Sequence, residues 1–582
     1  MVGWDAPLKV FAGIGRLSVK QSRDFSREPM YWVHLHLKTF SEQEQIFTTT
    51  VADQEGEVLF VGEDVSFRKV TPEQIKKAME SQAAEDDQKL YEVEWSALPT
   101  AEEAALEEDS KWLVLAEQST QLDRLKEALG ESNTYAGLGD VSLDELENFS
   151  HVLSAIGLSE TTSCLDALDH ALQLMKAMPK SGSTPELWFL SQLAVSVKHG
   201  DLKGAQIPTH AGLWGLAKSF RAEYPELKVV CLDFEGGVDT SAAIGKRIRQ
   251  ALACQATSFE PELAMRMGND SALNLFAPRM VDSTSSISAS ELPFFAEKSS
   301  HVISGGTGAL GLLFAKWMAE KGAKHFVLVS RSGKVQTDAE ALFQDVSAMA
   351  SVTKCDIGSL KDVKAMLKKV SKEMPAVRGV IHAAGVLDDH LISELERSHF
   401  EGVLAPKVEG TLNLHNATKD LPLDYFAMFS SLASLIGTAG QANYCAGNAF
   451  MDSFAGYRRS NGMPGVAIQW GPWAEVGMAA RAGTSESMVL RIDLDEGLRA
   501  MEAILSSSES LMTGAIGVAR IKWKSFLAQM PALPPFLDNF KQYKKDAGKK
   551  SAAAMGAAPS KDLVRSGIEG ILKEVLGDDS LE

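Results

Sequence analysis

The sequence predicts an α/β fold: two consecutive sheet units with helices on their faces, the second a doubly wound parallel sheet, behind a short β-rich segment. Three observations predict it. From about Leu90 onward, buried-type strand segments alternate with helical ones, as in a sheet covered on its faces. The second run opens on a glycine-rich strand-to-helix turn, Ser304-Gly305-Gly306-Thr307-Gly308-Ala309-Leu310-Gly311. Residues 30–70 instead alternate apolar and polar side chains, as antiparallel strands do.

In chain order, Met30–Lys38, Gln45–Ala52 and Glu57–Val61 read as strands, with a turn at Asp53-Gln54-Glu55-Gly56 between the last two. Together, 1–70 reads as the tail of a larger β structure. Thr71-Pro72 starts a polar helix that ends in Glu85-Asp86-Asp87, which makes 71–89 a linker. In 90–290, strands are expected at Lys111–Ala116, Leu187–Val195 and Leu227–Phe234. A helix is expected at Thr209–Tyr224, with Leu213, Trp214, Leu216 and Phe220 on its apolar face. No glycine fingerprint occurs there, so this unit is expected to hold no cofactor. The Ser-rich stretch 282–288 leads into 291–545, where strands are expected at His301–Ser304, His325–Ser330, Ser351–Cys355, Gly379–His382, Tyr425–Phe429 and Gly465–Trp470. A linker rich in Ala, Gly and Lys follows at 546–560, and the closing segment 561–582 begins with an amphipathic helix.

Composition narrows the function. A chain of 582 residues exceeds one compact core. Its formal charge of −19, with no clustered Lys and Arg, excludes a nucleic-acid binder and suits a soluble cytoplasmic enzyme. Cys164, Cys231, Cys254, Cys355 and Cys445 are scattered without metal-ligand spacing, so buried reduced thiols and no metal are expected. There is no signal-peptide pattern and no apolar run of membrane-spanning length, so no membrane partner is expected.

Gly306-x-Gly308-x-x-Gly311 suits a dinucleotide, because bare backbone approaches a pyrophosphate and the helix N-terminus supplies free N–H donors. The next strand ends Ser330-Arg331, which puts a cation where an NAD site would place an acid; that suits the 2′-phosphate of NADPH. Asp356, followed by Ile357, is placed to bond the adenine amine. Ala383, Ala384 and Gly385 are small enough to let the cofactor lie on backbone, and His382 reads as structural.

The candidate reaction centre is Tyr444, with Ser431 thirteen residues before it, Lys407 thirty-seven before it and Asn448 four after it. A phenol is a reluctant acid–base group unless a neighbour stabilises phenolate, which a lysine ammonium does. A serine hydroxyl can hold a substrate carbonyl oxygen while hydride reaches the carbon. An asparagine can position the lysine or a proton-supplying water chain.

These residues resemble the ketoreductase domain of modular polyketide synthases, within the short-chain dehydrogenase/reductase superfamily. The resembling stretches are Ile303–Gly311, Val329–Gly333, Gly379–Asp389, Ala405–Gly410, Phe429–Ser431 and Gly440–Asn448. In that family lysine lies well before the tyrosine and asparagine follows it, as Lys407 and Asn448 do. The resemblance implies two Rossmann-like subdomains, a structural one and a catalytic one. Residues 1–70 are similar to the C-terminal part of a dehydratase hotdog domain, and Lys561–Leu576 to the first helix of an acyl carrier domain.

The activity implied is NADPH-dependent reduction of a β-ketoacyl thioester, held by phosphopantetheine on an acyl carrier protein, beside neighbouring synthase domains. Leu387-Asp388-Asp389 matches the mark of B-type enzymes, which give the D-hydroxyl product. Gln441 stands where A-type enzymes have tryptophan, and Ala446 where epimerising ones have proline, which implies a B1-like enzyme. Gly471 and Pro472 are expected at the cofactor, and the segment after them, through Met478 to about Met488, as a lid. The alternatives are a reductase of free small carbonyl compounds and a silent NADP-binding scaffold.

Overall fold

The alternating segments near the N-terminus form a five-stranded antiparallel sheet, in the first of two units into which the computed structural model divides the chain: Met1–Asp87 and Gln88–Glu582. The structure describes 9–13, 16–19, 32–40, 44–52, 58–69 and most of 88–548; within that last span, 100–110, 179–183, 236–240, 268–272, 288–294, 477–487, 508–512 and a few shorter stretches are outside the described residues. The first sheet runs β1 (Lys9–Gly13), β5 (Val58–Lys69), β4 (Glu44–Ala52), β3 (Trp32–Phe40), and β2 (Arg16–Val19) also pairs with β5. Val33, Leu35 and Leu37 of the edge strand β3 are exposed. The expected helix after Thr71, the linker through Asp87 and everything from Lys549 onward lie outside the described residues.

The second unit is built on one sheet. Its strands are β6 (Lys89–Ala97), β7 (Trp112–Ala116), β8 (Thr134–Gly137), β9 (His151–Gly157), β10 (Glu186–Gln192), β11 (Val229–Phe234), β12 (Glu262–Met267) and β13 (Leu273–Asp282). They continue as β14 (Ser300–Ser304), β15 (His325–Ser330), β16 (Ala350–Lys354), β17 (Val377–His382), β18 (Tyr425–Ser431), β19 (Val466–Trp470), β20 (Val489–Leu490) and β21 (Ala515–Ile521). The order is β16-β15-β14-β17-β18-β19-β21-β6-β13-β12-β11-β10-β9-β7-β8, with β20 on β21.

From β16 to β21 every neighbouring pair is parallel. This is doubly wound order, and its direction reverses between β14 and β17, where a crevice opens at the strand ends. The far end, β8 to β12, is a second parallel run. Antiparallel β13 and β6 join the two runs. Parallel strands are covered on both faces, which is why Phe326, Val327, Leu328 and Val329 in succession are fully buried.

The far half has its own switch point, at the end of β7. There, in place of a glycine turn, Glu117 accepts hydrogen bonds from the hydroxyls of Ser159 and Thr162, and from Thr161 at 3.3 Å. A built-in carboxylate already satisfies the donors gathered there.

Helices α1 (Gly212–Glu223), α2 (Ala309–Glu320), α3 (Arg397–Leu404), α4 (Gly410–Thr418), α5 (Leu432–Ile436) and α6 (Ala442–Ser460) shape the site. The largest apolar core crosses both halves, with Leu216 and Phe220 of α1 in one cluster with Phe450 and Phe454 of α6. The expected helix at Thr209–Tyr224 is a 3₁₀ turn, Thr209–Ala211, followed by α1. The start of the expected linker at 546 is helical, because Lys541–Gly548 continues the packing of the Trp523 region. All five cysteines are free and buried. Among the described residues no helix is long and apolar enough to cross a membrane.

Candidate active site

The register of the parallel strands brings the sequence-predicted residues to one sheet edge. Ser304 pairs with Val329 and His382, Ser330 with Lys354, His382 with Met428, and Ser431 with Trp470. Each candidate segment therefore leaves its strand at the same level, over the crevice.

The glycine turn leaves β14 and enters α2. Gly305 has φ +70, and a Cβ there would stand 2.9 Å from the Ala384 nitrogen. A Cβ at Gly306 would lie 2.5 Å from the Ile303 carbonyl oxygen, and one at Gly311 2.7 Å from that of Gly305. The chain itself forces those three glycines. Gly308 differs: its φ is −89, and a Cβ would meet Gln336 Oε1 and the Gly305 carbonyl oxygen, each at 3.5 Å, as ordinary contacts. No clash or backbone strain inside the chain requires glycine there, at the N-cap of α2, so the bare position fits the approach of a ligand phosphate to a helix N-terminus. Thr307 is buried, and Leu310 packs on the core.

Ser330 Oγ accepts from the Gly333 amide at 3.1 Å, which folds the strand end and leaves Arg331 exposed. Asp356 caps its own turn by accepting from the Gly358 amide at 3.0 Å, and the Ile357 carbonyl accepts from Asn413 at 2.9 Å. Ala383, Ala384 and Gly385 are half-buried along the crevice. The Gly471 amide donates to the Val518 carbonyl at 2.8 Å, and the Pro472 carbonyl accepts from Ile492 at 2.7 Å, which anchors both to β21 and its neighbour. Met478 lies outside the described residues, as does most of the expected lid.

Lys407 sits in a π-helical turn, Ala405–Glu409, between α3 and α4. Its Nζ donates to the Phe429 carbonyl at 2.8 Å and stands 5.3 Å from the centre of the Tyr444 ring. Two glycines leave room for the side chain: a Cβ at Gly385 would approach Lys407 Cε at 3.0 Å, and one at Gly447 its Cβ at 3.1 Å. Burial pushes the Lys407 ammonium down to about 7. Burial pushes the Tyr444 phenol up to about 12, while hydrogen bonds from Asn448 and Ser431 pull it back. Ser431 is the N-cap of α5, its Oγ accepting from the Ala433 amide at 3.2 Å. Asn448 Nδ2 donates to the Tyr444 carbonyl at 2.9 Å, and its Oδ1 is buried with no partner.

His382 explains how Lys407 is held. Its Nε2 lies 2.9 Å from the Pro406 carbonyl, which can only accept, so Nε2 carries the proton. Nδ1 then accepts from Ser304 Oγ at 2.5 Å. Burial drives His382 down to about 3, so it stays neutral and clamps the turn that carries Lys407.

Leu387 packs against the cluster that includes Tyr444. Asp388 Oδ1 meets His390 Nε2 at 3.0 Å, and Asp389 Oδ2 accepts from Gln441 Nε2 at 2.9 Å. Asn443, which sequence reasoning left without a role, fastens this loop. It is fully buried, donates to the carbonyls of Asp388 at 2.7 Å and His399 at 3.1 Å, and accepts from the Tyr444 amide at 2.8 Å. The only advance signal for it was its place directly before the tyrosine. Asp388, His390 and His399 bring ligand atoms within 4.8 Å of one another. The two rings are stacked at 3.9 Å, however, so their in-plane lone pairs do not converge on one ion.

Comparison with known proteins follows the same division. Residues 299–475 match the model of the KR domain, and residues 93–280 that of the Rossmann fold domain of the polyketide synthase extender module SpnB. Solved relatives include A-type ketoreductases from a modular polyketide synthase, at TM-score 0.66 and 26% identity over 78% of this chain and 98% of theirs. The chain carries the ketoreductase region of a modular polyketide synthase. Another such structure, the ketoreductase from the first module of phoslactomycin biosynthesis in Streptomyces sp. HK803, has TM-score 0.62 and 28% identity, covering 78% of this chain and 99% of that one. Among curated relatives, a phenolphthiocerol/phthiocerol polyketide synthase of Mycobacterium tuberculosis is 28% identical over 485 residues, 77% of this chain and 26% of the relative. Polyketide synthase GfsA of Streptomyces halstedii is 30% identical over 483 residues, 76% of this chain and 6% of the relative. This ketoreductase thus spans about a quarter or less of these curated relatives.

Proposed function

We propose that this ketoreductase uses NADPH to reduce a β-ketoacyl thioester, carried on an acyl carrier protein within a larger synthase, to the D-β-hydroxyacyl thioester. The observation that carries the reading is the Lys407 ammonium 5.3 Å from the Tyr444 ring centre, with Ser431 and Asn448 near enough to the phenol to lower its pKa against burial. NADPH, when bound, supplies the hydride. The chain's own residues do the rest. Ser304, Gly306, Thr307, Gly308, Leu310 and Gly311 would hold the pyrophosphate end and Ser330 and Arg331 the 2′-phosphate. Asp356 and Ile357 would border the adenine, and Ala383, Ala384, Gly385, Gly471 and Pro472 the rest of the dinucleotide.

Ser431 Oγ donates to the substrate carbonyl oxygen and Tyr444 gives it a proton. Lys407 lowers the cost of the phenolate left behind, against the burial that raises it. Asn448 supports both groups from the next helical turn.

For stereochemistry, support comes from Leu387 packed beside Tyr444 and Asp389 tied to Gln441. That pair fixes the loop against the helix bearing the proton donor, so the substrate enters from one defined side. The A-type relative shares the fold, which does not decide the product's configuration.

The test incubates the protein with NADPH and a β-ketoacyl thioester surrogate, follows absorbance loss, and resolves the product on a chiral column. D-Hydroxyl product, lost in Tyr444→Phe, is the expected result. L-Product would overturn the B-type assignment alone. Cofactor binding without turnover, even with a carrier-bound substrate, would overturn the enzymatic reading.

A further inference from the structure

Asp452 is a buried carboxyl that the mechanism above leaves without a task. It lies on α6 eight residues beyond Tyr444 and four beyond Asn448, hence on the same helix face. Its Oδ2 accepts from Gln469 Nε2 at 2.8 Å and meets the Ser434 hydroxyl at 2.6 Å, while its Oδ1 is buried with no partner. The same Ser434 hydroxyl lies 2.8 Å from the Ser431 carbonyl. A hydroxyl has one hydrogen and a carbonyl only accepts. With that hydrogen on the Ser431 carbonyl, the short contact to Asp452 is held by a proton on the carboxyl. Burial raises the Asp452 pKa, against bonds from Ser430, Ser434 and Gln469, which favours the same protonated form.

Hydroxyls lead from Asp452 back toward the reaction centre. Ser430 Oγ is 3.3 Å from Ser434 Oγ and 3.5 Å from the Asn448 carbonyl. Beyond it stands the unpartnered Oδ1 of Asn448, whose Nδ2 donates to the Tyr444 carbonyl at 2.9 Å and which lies near enough to the phenol to lower its pKa. In the other direction Asp452 borders a half-open cavity of about 90 Å³, walled also by Ser434, Gln469, Lys218, Glu262 and Trp214. Most of the wall is apolar, but Asp452, Ser434, Gln469, Lys218 and Glu262 give waters in that volume the polar partners they need.

We propose that Asp452 returns to Tyr444 the proton spent in each reduction, through Ser430, Ser434 and water at Asn448, and is recharged from this cavity. The proposal rests on the reading of Tyr444 as proton donor. Hydride adds to the carbonyl carbon, and the Tyr444 proton goes to the carbonyl oxygen, leaving phenolate. The Asp452 proton passes along the hydroxyls to the phenolate, and the carboxylate then takes one from cavity water. Each reduction consumes one solvent proton.

Asp452→Asn tests this. In cofactor-free protein, the infrared band of a protonated buried carboxylic acid present in wild type disappears in the variant. In a single turnover hydride transfer stays within about two-fold of wild type, because Tyr444 starts protonated, while steady-state kcat falls at least about ten-fold. The solvent deuterium isotope effect on kcat rises with it. Ala515→Val, which narrows the cavity without touching Asp452, reproduces the split between first and later turnovers. Equal loss of both rates in a variant that melts like wild type overturns the relay and leaves Asp452 holding the helix. Unchanged kcat in both variants, or no carboxyl band in wild type, overturns it too. A wild-type protein that never oxidises NADPH overturns the functional reading and this inference with it.

Discussion

Arg331 and Lys407 are two cations with opposite surroundings, and each makes a different prediction. Arg331 is exposed at a strand end, where a guanidinium can grip a phosphate with paired hydrogen bonds. Such charge-assisted bonds are worth about 1.5–3 kcal/mol, so Arg331→Ala raises KM for NADPH roughly ten- to hundred-fold. KM for NADH stays where it was, and equal change in both would remove Arg331 from the 2′-phosphate. Lys407 is buried, and its ammonium is held near 7 against an ordinary value of 10.5. Between those limits the unfolded chain binds a proton that the folded one does not, so this residue's contribution to stability grows as pH rises. Lys407→Met has no such dependence. Its advantage over wild type in urea midpoint, without cofactor, is largest below about pH 7 and shrinks as pH rises toward about 10. A constant gap would mean that Lys407 stays charged when buried. Tyr444 and the three polar residues around it were legible because each must be one of few residue types to do its chemistry. His382 was legible as structural, but its clamp on the Lys407 turn, like the contacts of Asn443 and Asp452, runs through carbonyls, hydroxyls and amides that only the folded chain brings near.

At the scale of elements, the reaction centre depends on a helix from the other half. α1 meets α6 backbone to backbone: a Cβ at Gly215 would collide with the Cys445 carbonyl, and one at Gly212 would stand 3.3 Å from that of Ala446. Carbonyls cannot yield as a flexible side chain does, so Gly215→Ala pushes the helices apart at a cost of about 1–3 kcal/mol. Cys445 follows Tyr444 directly, so kcat falls along with the urea midpoint. Lost stability with unchanged kcat would mean that α6 moves as a rigid rod without tilting Tyr444. The parallel strands were readable where both faces are apolar, as in β15, which runs His325–Ser330 as expected. β9 escaped notice although Val152 to Ile156 are buried, because Ser154 breaks its apolar run and no turn chemistry marks its entry. β12 escaped because it buries charge: Arg266 is fully enclosed and held by Asp233 at 2.6 Å and Asp201 at 3.2 Å. Hydropathy alone reads such a strand as surface.

Across the whole second unit, the two Rossmann-like halves expected in succession share one sheet, and the strand that joins them comes first in sequence. β6 pairs with β21, Tyr91 opposite Gly517, and on its other edge with β13, Met280 opposite Val93. No local pattern announces a pairing across more than four hundred residues, so the junction was invisible in the sequence although both halves were legible. It is also a core of its own. Trp523 stacks on Phe540 at 3.9 Å and donates to the Tyr91 hydroxyl at 3.1 Å, with Met280, Leu432 and Leu435 in the same cluster. Cutting between the halves therefore does not separate two finished domains. A fragment of 291–548 keeps the cofactor turn, Lys407, Ser431, Tyr444 and Asn448, yet it loses β6. That bares one edge of β21 and the aromatic face beneath it, an arrangement that invites edge-to-edge association. Expressed alone it aggregates, whereas 88–548 is monodisperse and binds NADPH, and co-expression with 88–290 restores a soluble complex. Size-exclusion chromatography with light scattering reads all three. A soluble, NADPH-binding 291–548 fragment would show that the catalytic half needs neither the shared sheet nor the helix that abuts Cys445.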